Sequence, residues 1–140
     1  MLRMIHLALV AGVFLFGIVL WLVARKPLRV DLDLANPVSL IAGVVALVTF
    51  GVAQQMDRLF LHFVPPPVDM DTALQKYQVF FLVRAALLDG GALFPAVAVL
   101  LTSQLLPALF FLLCAVGLLV HRPSEREFAS LMRRWLERVK

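Results

Sequence analysis

Four long apolar runs constrain the fold of this chain more than any other feature. They extend over residues 4–23, 37–53, 79–101 and 105–120. A helix that crosses a bilayer needs about 20 mostly apolar residues. The chain has 140 residues, 62% of them hydrophobic, against about 45–50% in a soluble domain. We therefore predict an all-α membrane protein in which residues 1–122 form one four-transmembrane-helix bundle.

The first apolar run could in principle be a cleaved signal peptide. Its basic start consists of Arg3 alone, and Arg25 and Lys26 follow it as a stop-transfer flank. The run is also longer than the about 7–15 residues of a signal peptide. We therefore expect a retained first helix.

The distribution of Lys and Arg predicts the orientation of the chain, because both are enriched on the cytoplasmic side of membranes. Four spans place both termini on one side. That side holds nine basic residues: Arg3, Arg58, Lys76, Arg122, Arg126, Arg133, Arg134, Arg138 and Lys140. The other side holds three: Arg25, Lys26 and Arg29. This predicts a multi-pass protein of the inner (cytoplasmic) membrane with both termini in the cytoplasm.

Short polar motifs predict where the helices begin. Asn36 before Pro37 is typical of an N-cap followed by proline in the first turn. Thr72 with Gln75 fits a capping box, in which each side chain bonds the backbone of the other residue. Pro107 is suited to the first turn of the fourth helix.

Residues 123–140 are predicted to form a separate C-terminal amphipathic helix, with Ser124 and Glu127 as its capping box. Its apolar positions recur at helical spacing: Phe128, Leu131, Met132, Trp135, Leu136 and Val139. Such a helix can lie in the headgroup layer, anchored by Trp135 and by Arg133, Arg134 and Arg138. The alternative is that the apolar stripe packs on a partner protein.

Arg84 and Asp89 lie inside the third apolar run. Arg84 is about one turn deep, so its long stem can lift the guanidinium to the headgroups. Asp89 is about 15 Å deep, and an ionised carboxylate at the bilayer centre costs roughly 2.5–3.5 kcal/mol. Three interpretations stay open: a structural bond to Arg84 or another helix, a protonated donor across a helix interface, and a titrating proton or cation site.

Small residues surround Asp89 and also occur in the first run. Gly90 and Gly91 follow Asp89 directly, and Gly12 lies in the first run. Small residues let helix backbones approach closely, so this part of the third helix is predicted to be an association face. Residues 5–22 also align with residues 83–100, which suggests two parallel hairpin repeats.

The sequence offers little to a catalytic or metal-site hypothesis. His6, His62 and His121 are expected at the membrane interface, although imidazole is also a common metal ligand. No metal, phosphate-loop or nucleophile-elbow motif is present. The basic residues flank apolar runs, which argues against nucleic-acid binding. We expect no enzyme activity and no cofactor.

Three segments resemble a known family when they are taken together: "IHLALVAGVFLF", "YQVFFLVRAALLDGGALF" and "HRPSEREF". They are similar to a family of small, uncharacterised bacterial four-helix integral membrane proteins. In that family, Asp89 stands where a glutamate is more usual. The resemblance implies the fold and the intramembrane carboxyl group, and it implies no activity.

These features predict a small non-enzymatic subunit that associates in the bilayer with copies of itself or with a larger membrane complex. The alternative function is proton or cation conduction, with Asp89 as the titrating group inside the membrane.

Overall fold

The computed structural model describes residues 2–23, 30 and 36–139, with side chains up to residue 137. These residues form five helices: α1 (Leu2–Val23), α2 (Pro37–Phe63), α3 (Met70–Thr102), α4 (Leu105–Val120) and α5 (Glu125–Val139). No strand occurs in this part of the chain. The all-α prediction is therefore confirmed.

Three of these helices, α1, α2 and α3, are long and apolar enough to cross a membrane. The α4 helix has 16 residues, or about 24 Å, which is less than the about 30 Å of a hydrocarbon core. It meets α5 at a bend of 81°. The two helices together are long and apolar enough to cross a membrane if they form one broken span. The described chain therefore holds three candidate spans, or four with this pair.

The starts of α2 and α4 agree with the sequence, and the start of α3 differs. The Asn36 side chain accepts a 3.0 Å hydrogen bond from the Val38 N–H, so Asn36 is the N-cap of α2 as predicted. Pro107 lies in the first turn of α4. The start of α3 was predicted at Thr72. Instead, Asp69 caps the helix and accepts a 2.7 Å bond from the Thr72 N–H.

The second helix continues ten residues past residue 53, where its apolar run ends, and stops at Phe63. A helix can continue through a polar segment after it leaves an apolar layer, because the hydrogen bonds of its backbone are made within the helix. Pro65, Pro66 and Pro67 follow and cannot continue it.

The helices α2, α3 and α4 pack against one another through small residues, and α1 packs on α3 and α4. Their shared core joins Ala46, Ala85, Leu88, Ala92 and Cys114 with residues of the other helices. Only Val13 and Leu20 of α1 are buried. The two-hairpin repeat is not shown, since the main contacts of α1 in the described residues are with α3 and α4.

The α5 helix lies across one end of the bundle. It covers a second core cluster, in which its residues Leu131 and Trp135 meet Phe60, Tyr77 and Phe80. The Phe60 and Trp135 rings are 5.4 Å apart. The predicted amphipathic helix is therefore present, and its apolar face packs on the same chain.

Candidate functional site

Arg84 is the centre of a group of charges at the α5 end of the bundle. Its side chain is only 7% exposed. Its Nη1 donates a 2.8 Å hydrogen bond to Glu127 Oε1 and lies 3.5 Å from Asp57 Oδ1. The guanidinium carbon also lies 5.7 Å from the centre of the Phe80 ring. Arg84 thus connects α3 to both α2 and α5.

The predicted role of Arg84 is corrected by this arrangement. We expected its guanidinium to reach the lipid headgroups. Because α5 folds back across the bundle end, Glu127 reaches Arg84 first, and the charge is compensated inside the protein.

Two further side chains complete this group. Arg134 Nη2 lies 3.3 Å from Asp57 Oδ2, and the Tyr77 hydroxyl donates to Glu127 Oε2 over 3.1 Å. We call Asp57, Tyr77, Arg84, Glu127 and Arg134 the charge network. Its two guanidinium groups face two carboxylates, so its formal charge is zero, and the buried Arg84 has the paired carboxylates that a buried charge requires.

The two contacts that Arg84 makes with carboxylates differ in geometry. Asp57 Oδ1 accepts no hydrogen bond from any described residue, although Arg84 Nη1 is within ion-pair distance. A 3.5 Å approach with poor direction is an electrostatic contact and not a hydrogen bond. The short bond to Glu127 is therefore the stronger of the two links made by Arg84.

Asp89 is separated from the charge network. Its side chain is partly buried and has no ion pair or hydrogen bond with any residue that the structure describes. It lies five positions after Arg84, or about 140° around a helix, and Arg84 is engaged elsewhere. Among the described residues, Asp89 therefore has no structural bond to Arg84 or to another helix of its own chain.

Asp89 lies between the two faces of α3. Leu88 and Ala92 beside it are buried, whereas Ala86, Gly90 and Leu93 are on the exposed side. A carboxyl group at this border can be reached from outside the bundle.

The three glycines predicted to allow close packing have different surroundings. A side chain on Gly91 would collide with Thr49 of α2 and come within 3.2 Å of Cys114 Sγ of α4. Nothing lies within 4 Å of the corresponding position at Gly12 or Gly90. Gly91 therefore serves packing inside the chain, and the other two glycines lie on open outer surfaces.

Trp135 is placed differently from the prediction. It was expected to anchor α5 in the headgroup layer, but it is 1% exposed and cannot contact lipid. Its position follows from the size of the apolar face of α5, which buries Leu131 and Trp135 together on the bundle end.

The three arginines of α5 that were predicted as interfacial anchors differ in their surroundings. Arg133 makes an exposed 3.3 Å pair with Glu137 one turn later, and Arg134 pairs with Asp57. The side chain of Arg138 lies outside the described residues. Of the two described anchors, Arg133 is the more exposed, at 83% against 44% for Arg134.

The residues missed by sequence analysis are Asp57, Tyr77 and Glu127. We had assigned Glu127 to a capping box. Ser124 Oγ does accept the Glu127 N–H at 3.1 Å, but the Glu127 carboxylate bonds Arg84 and Tyr77. A signal was present, because Glu127 and Arg134 are four residues before and three after the buried Leu131, on the same helix face.

The outer surface of α1 to α4 is apolar. Exposed large side chains occur on all four helices, among them Leu7, Ile18, Val44, Leu47, Phe94, Val97, Leu112 and Val116. Exposed apolar patches of more than a few hundred Å² are rare in soluble monomers. This surface fits a lipid environment.

No group of three or more His, Cys, Asp or Glu side chains that could hold a metal occurs among the described residues. His6 packs edge-on against Phe81, with ring centres 5.7 Å apart, and His62 packs in the same way against Phe63.

The fold and the site define an all-helical protein with three or four candidate membrane spans. A charge network lies at one end, and one candidate span carries a carboxyl group without a partner among the described residues. No protein-family model, no curated protein and no solved structure matches the chain.

Proposed function

We propose that α1 to α4 cross the inner membrane, with α5 and both termini on the cytoplasmic side. The apolar outer surface of these helices supports this topology. Arg3, Arg58, Lys76, Arg122 and Arg126 support the orientation, because they flank the helix ends nearest α5 and basic residues are enriched on the cytoplasmic side.

Within this membrane, we propose that the chain is a non-enzymatic subunit that associates with a second copy of itself through α3. The observation that carries this proposal is that Asp89, about halfway through the span, has no bonding partner among the described residues. A carboxyl group at this depth is costly without a partner. The membrane offers no water to replace one, so a partner from outside the protomer lowers that cost.

The chemistry around Asp89 favours a second copy as this partner. A protonated carboxyl group both donates and accepts a hydrogen bond, so two Asp89 side chains can satisfy each other across a two-fold axis, where the same patch meets itself. Beside it, Ala86 and Gly90 are exposed, small and four residues apart. This spacing lets two helix backbones approach closely.

The same observation favours one alternative function, which is proton or cation conduction. A carboxyl group that is not held by its own chain is free to exchange a proton or to bind a cation. In that case Asp89 acts by titrating, and association is secondary.

Mass measurement of the protein in lipid nanodiscs or mild detergent tests the association. We expect dimers that weaken about three- to thirty-fold in Asp89→Leu, the range for one polar contact between membrane helices. Gly90→Leu should also weaken them because it blocks the close approach. Gly51→Leu is the matched control, since Gly51 is equally open but lies on α2. A monomer at all concentrations, or equal effects of the two glycine variants, would contradict the proposal.

Proton flux into liposomes distinguishes the alternative. If Asp89→Asn keeps the dimer and abolishes a flux seen with the wild-type chain, Asp89 acts as a titrating site. If wild-type liposomes show no proton flux above empty ones, the proton-conduction alternative is excluded, and the same comparison with a cation gradient decides cation conduction. Cross-links from Asp89-adjacent positions to other proteins, and none between copies, would identify a larger complex instead of a homodimer.

A further inference from the structure

A cleft opens at the α5 end of the bundle, between the start of α1 and the connection from α4 to α5. It consists of two adjoining recesses of about 630 Å³ and 620 Å³, which share Arg3, Arg122 and Ser124 as lining residues. We call these two recesses the headgroup cleft. It is separate from Asp89 and from the face of α3 that carries Ala86 and Gly90.

Three guanidinium groups line this cleft: Arg3, Arg122 and Arg126. All three side chains are exposed, and none has an ion pair with a carboxylate among the described residues. Two carboxylates also line the cleft, and Glu127 is already bonded to Arg84. Glu125 is thus the one lining carboxylate outside the charge network, so the cleft keeps an excess of positive charge.

The wall of the cleft changes from basic to apolar towards the middle of the bundle. Leu7, Val10 and Leu119 line its deeper recess. Leu119 also lines an apolar groove of about 320 Å³ between α1 and α4, which begins at Val13. The apolar surface is therefore continuous from the basic rim into the membrane.

The dimensions of this surface match one lipid leaflet. Arg3 and Val13 are ten residues apart, which is about 15 Å along a helix. Half of a hydrocarbon core is also about 15 Å. An acyl chain whose headgroup lies at Arg3 would therefore end near the start of the apolar groove.

We propose that the headgroup cleft binds an anionic glycerophospholipid of the cytoplasmic leaflet, with one acyl chain on the surface formed by α1 and α4. One guanidinium group can donate two parallel hydrogen bonds to the oxygens of a phosphate. Basic pockets between membrane helices on the cytoplasmic side bind anionic headgroups. Arg3, Arg122 and Arg126 hold the phosphate, and Leu7, Val10 and Leu119 contact the chain. The inference requires the proposed membrane location and is independent of Asp89.

Native mass spectrometry in detergent tests this site with phosphatidylglycerol and cardiolipin against phosphatidylcholine. We expect the anionic lipids to bind at least tenfold more tightly. Arg3→Gln with Arg122→Gln should weaken anionic lipid binding by about fivefold for each arginine, the effect of one basic residue near an anionic surface. Arg58→Gln with Arg133→Gln is the matched control, because it removes the same charge from exposed positions outside the cleft.

Equal losses in the two double variants, or equal binding of anionic and zwitterionic lipids, would overturn the proposal. Soluble glycerol phosphate distinguishes a lipid site from a phosphate site. We expect it to compete poorly, and competition as strong as that of the lipid would contradict a role for the apolar wall.

A photo-reactive anionic lipid provides a test in the unmodified protein. With the reactive group on the acyl chain, we expect cross-links at residues 7–13 of α1 and near Leu119 of α4. Cross-links spread evenly over the outer surfaces of α2 and α3 would overturn the site even if the arginine variants fail to fold.

Discussion

Removing the Glu127 carboxylate should release α5 from the end of the bundle. Glu127→Gln keeps the shape of the side chain and removes its charge, and it leaves Arg84 Nη1 with Asp57 at 3.5 Å as its remaining carboxylate. Arg84 is 7% exposed and Glu127 is 22% exposed. The variant therefore leaves a largely buried cation with one imperfect partner.

The expected cost follows from these distances. Two unit charges about 4 Å apart attract by about 4 kcal/mol at an effective dielectric constant of about 20. Breaking a buried pair by removing one partner costs about 3–5 kcal/mol. Partial exposure of Glu127 and the remaining Asp57 reduce this loss, so we expect Glu127→Gln to destabilise the folded chain by about 2–3 kcal/mol.

A double-mutant cycle isolates the pair from other effects of the substitutions. Arg84→Met removes the cation, and the double variant should cost less than the sum of the single variants by at least about 1 kcal/mol. The exposed Arg133 and Glu137 pair is the control, for which we expect about 0.3–0.5 kcal/mol. Coupling no larger than that of the control would refute the reasoning.

The two tryptophans make α5 directly observable. Trp135 is 1% exposed and Trp21 is 77% exposed, so Trp21→Phe leaves one reporter in the interface between α5 and the bundle. SDS titration in mixed micelles should shift the emission of Trp135 to longer wavelength as α5 separates. We expect Glu127→Gln to move this transition to lower SDS, and an unchanged midpoint would contradict the docking contact.

Three further predictions follow from the packing and the caps. Gly91→Ala should destabilise the bundle by about 1–3 kcal/mol through overpacking, whereas Gly51→Ala on an open surface should not, as measured by SDS titration. Trp135→Ala should cost about 3–5 kcal/mol and expose α5 to limited proteolysis. Hydrogen bonds from Thr72, first from its side chain and then from its N–H, hold the pKa of Asp69 below its ordinary value of 3.8. Its contribution is therefore present above pH 3.8 and lost as pH falls further, so the difference in Tm between the wild type and Asp69→Ala should shrink there.

The sequence predicts the helices well because lipid imposes a simple requirement on them. Residues 105–120 coincide with α4, and the third apolar run lies within α3. The helix ends are less predictable, because a polar segment such as residues 54–58 is compatible with helix once it leaves the apolar layer. Both Asp69 and Thr72 are suitable N-cap residues for α3, and the backbone geometry decides which of them caps the helix.

The charge network was harder to predict than the helices. Arg84 and Glu127 are 43 residues apart in the chain, and they meet only because α5 turns by 81° after α4. The apolar run shows how deep Arg84 lies in the third helix, but it does not show which residue pairs with Arg84. The sequence of α5 showed an apolar face without showing what it covers.

The charge network makes the isolation of Asp89 informative. At the bundle end, Arg84, Arg134 and the two carboxylates are brought together from three helices, so this fold can compensate charges where they are buried. About 7.5 Å further along α3, the same chain leaves the Asp89 carboxyl group without a bond to any described residue, and ionisation at the centre of a bilayer would cost roughly 2.5–3.5 kcal/mol. A purely structural role within one protomer would leave that cost without a compensating contact among the described residues. This absence of a partner among the described residues is what supports the proposal that Asp89 is satisfied from outside the protomer, by a second chain or by a proton or cation.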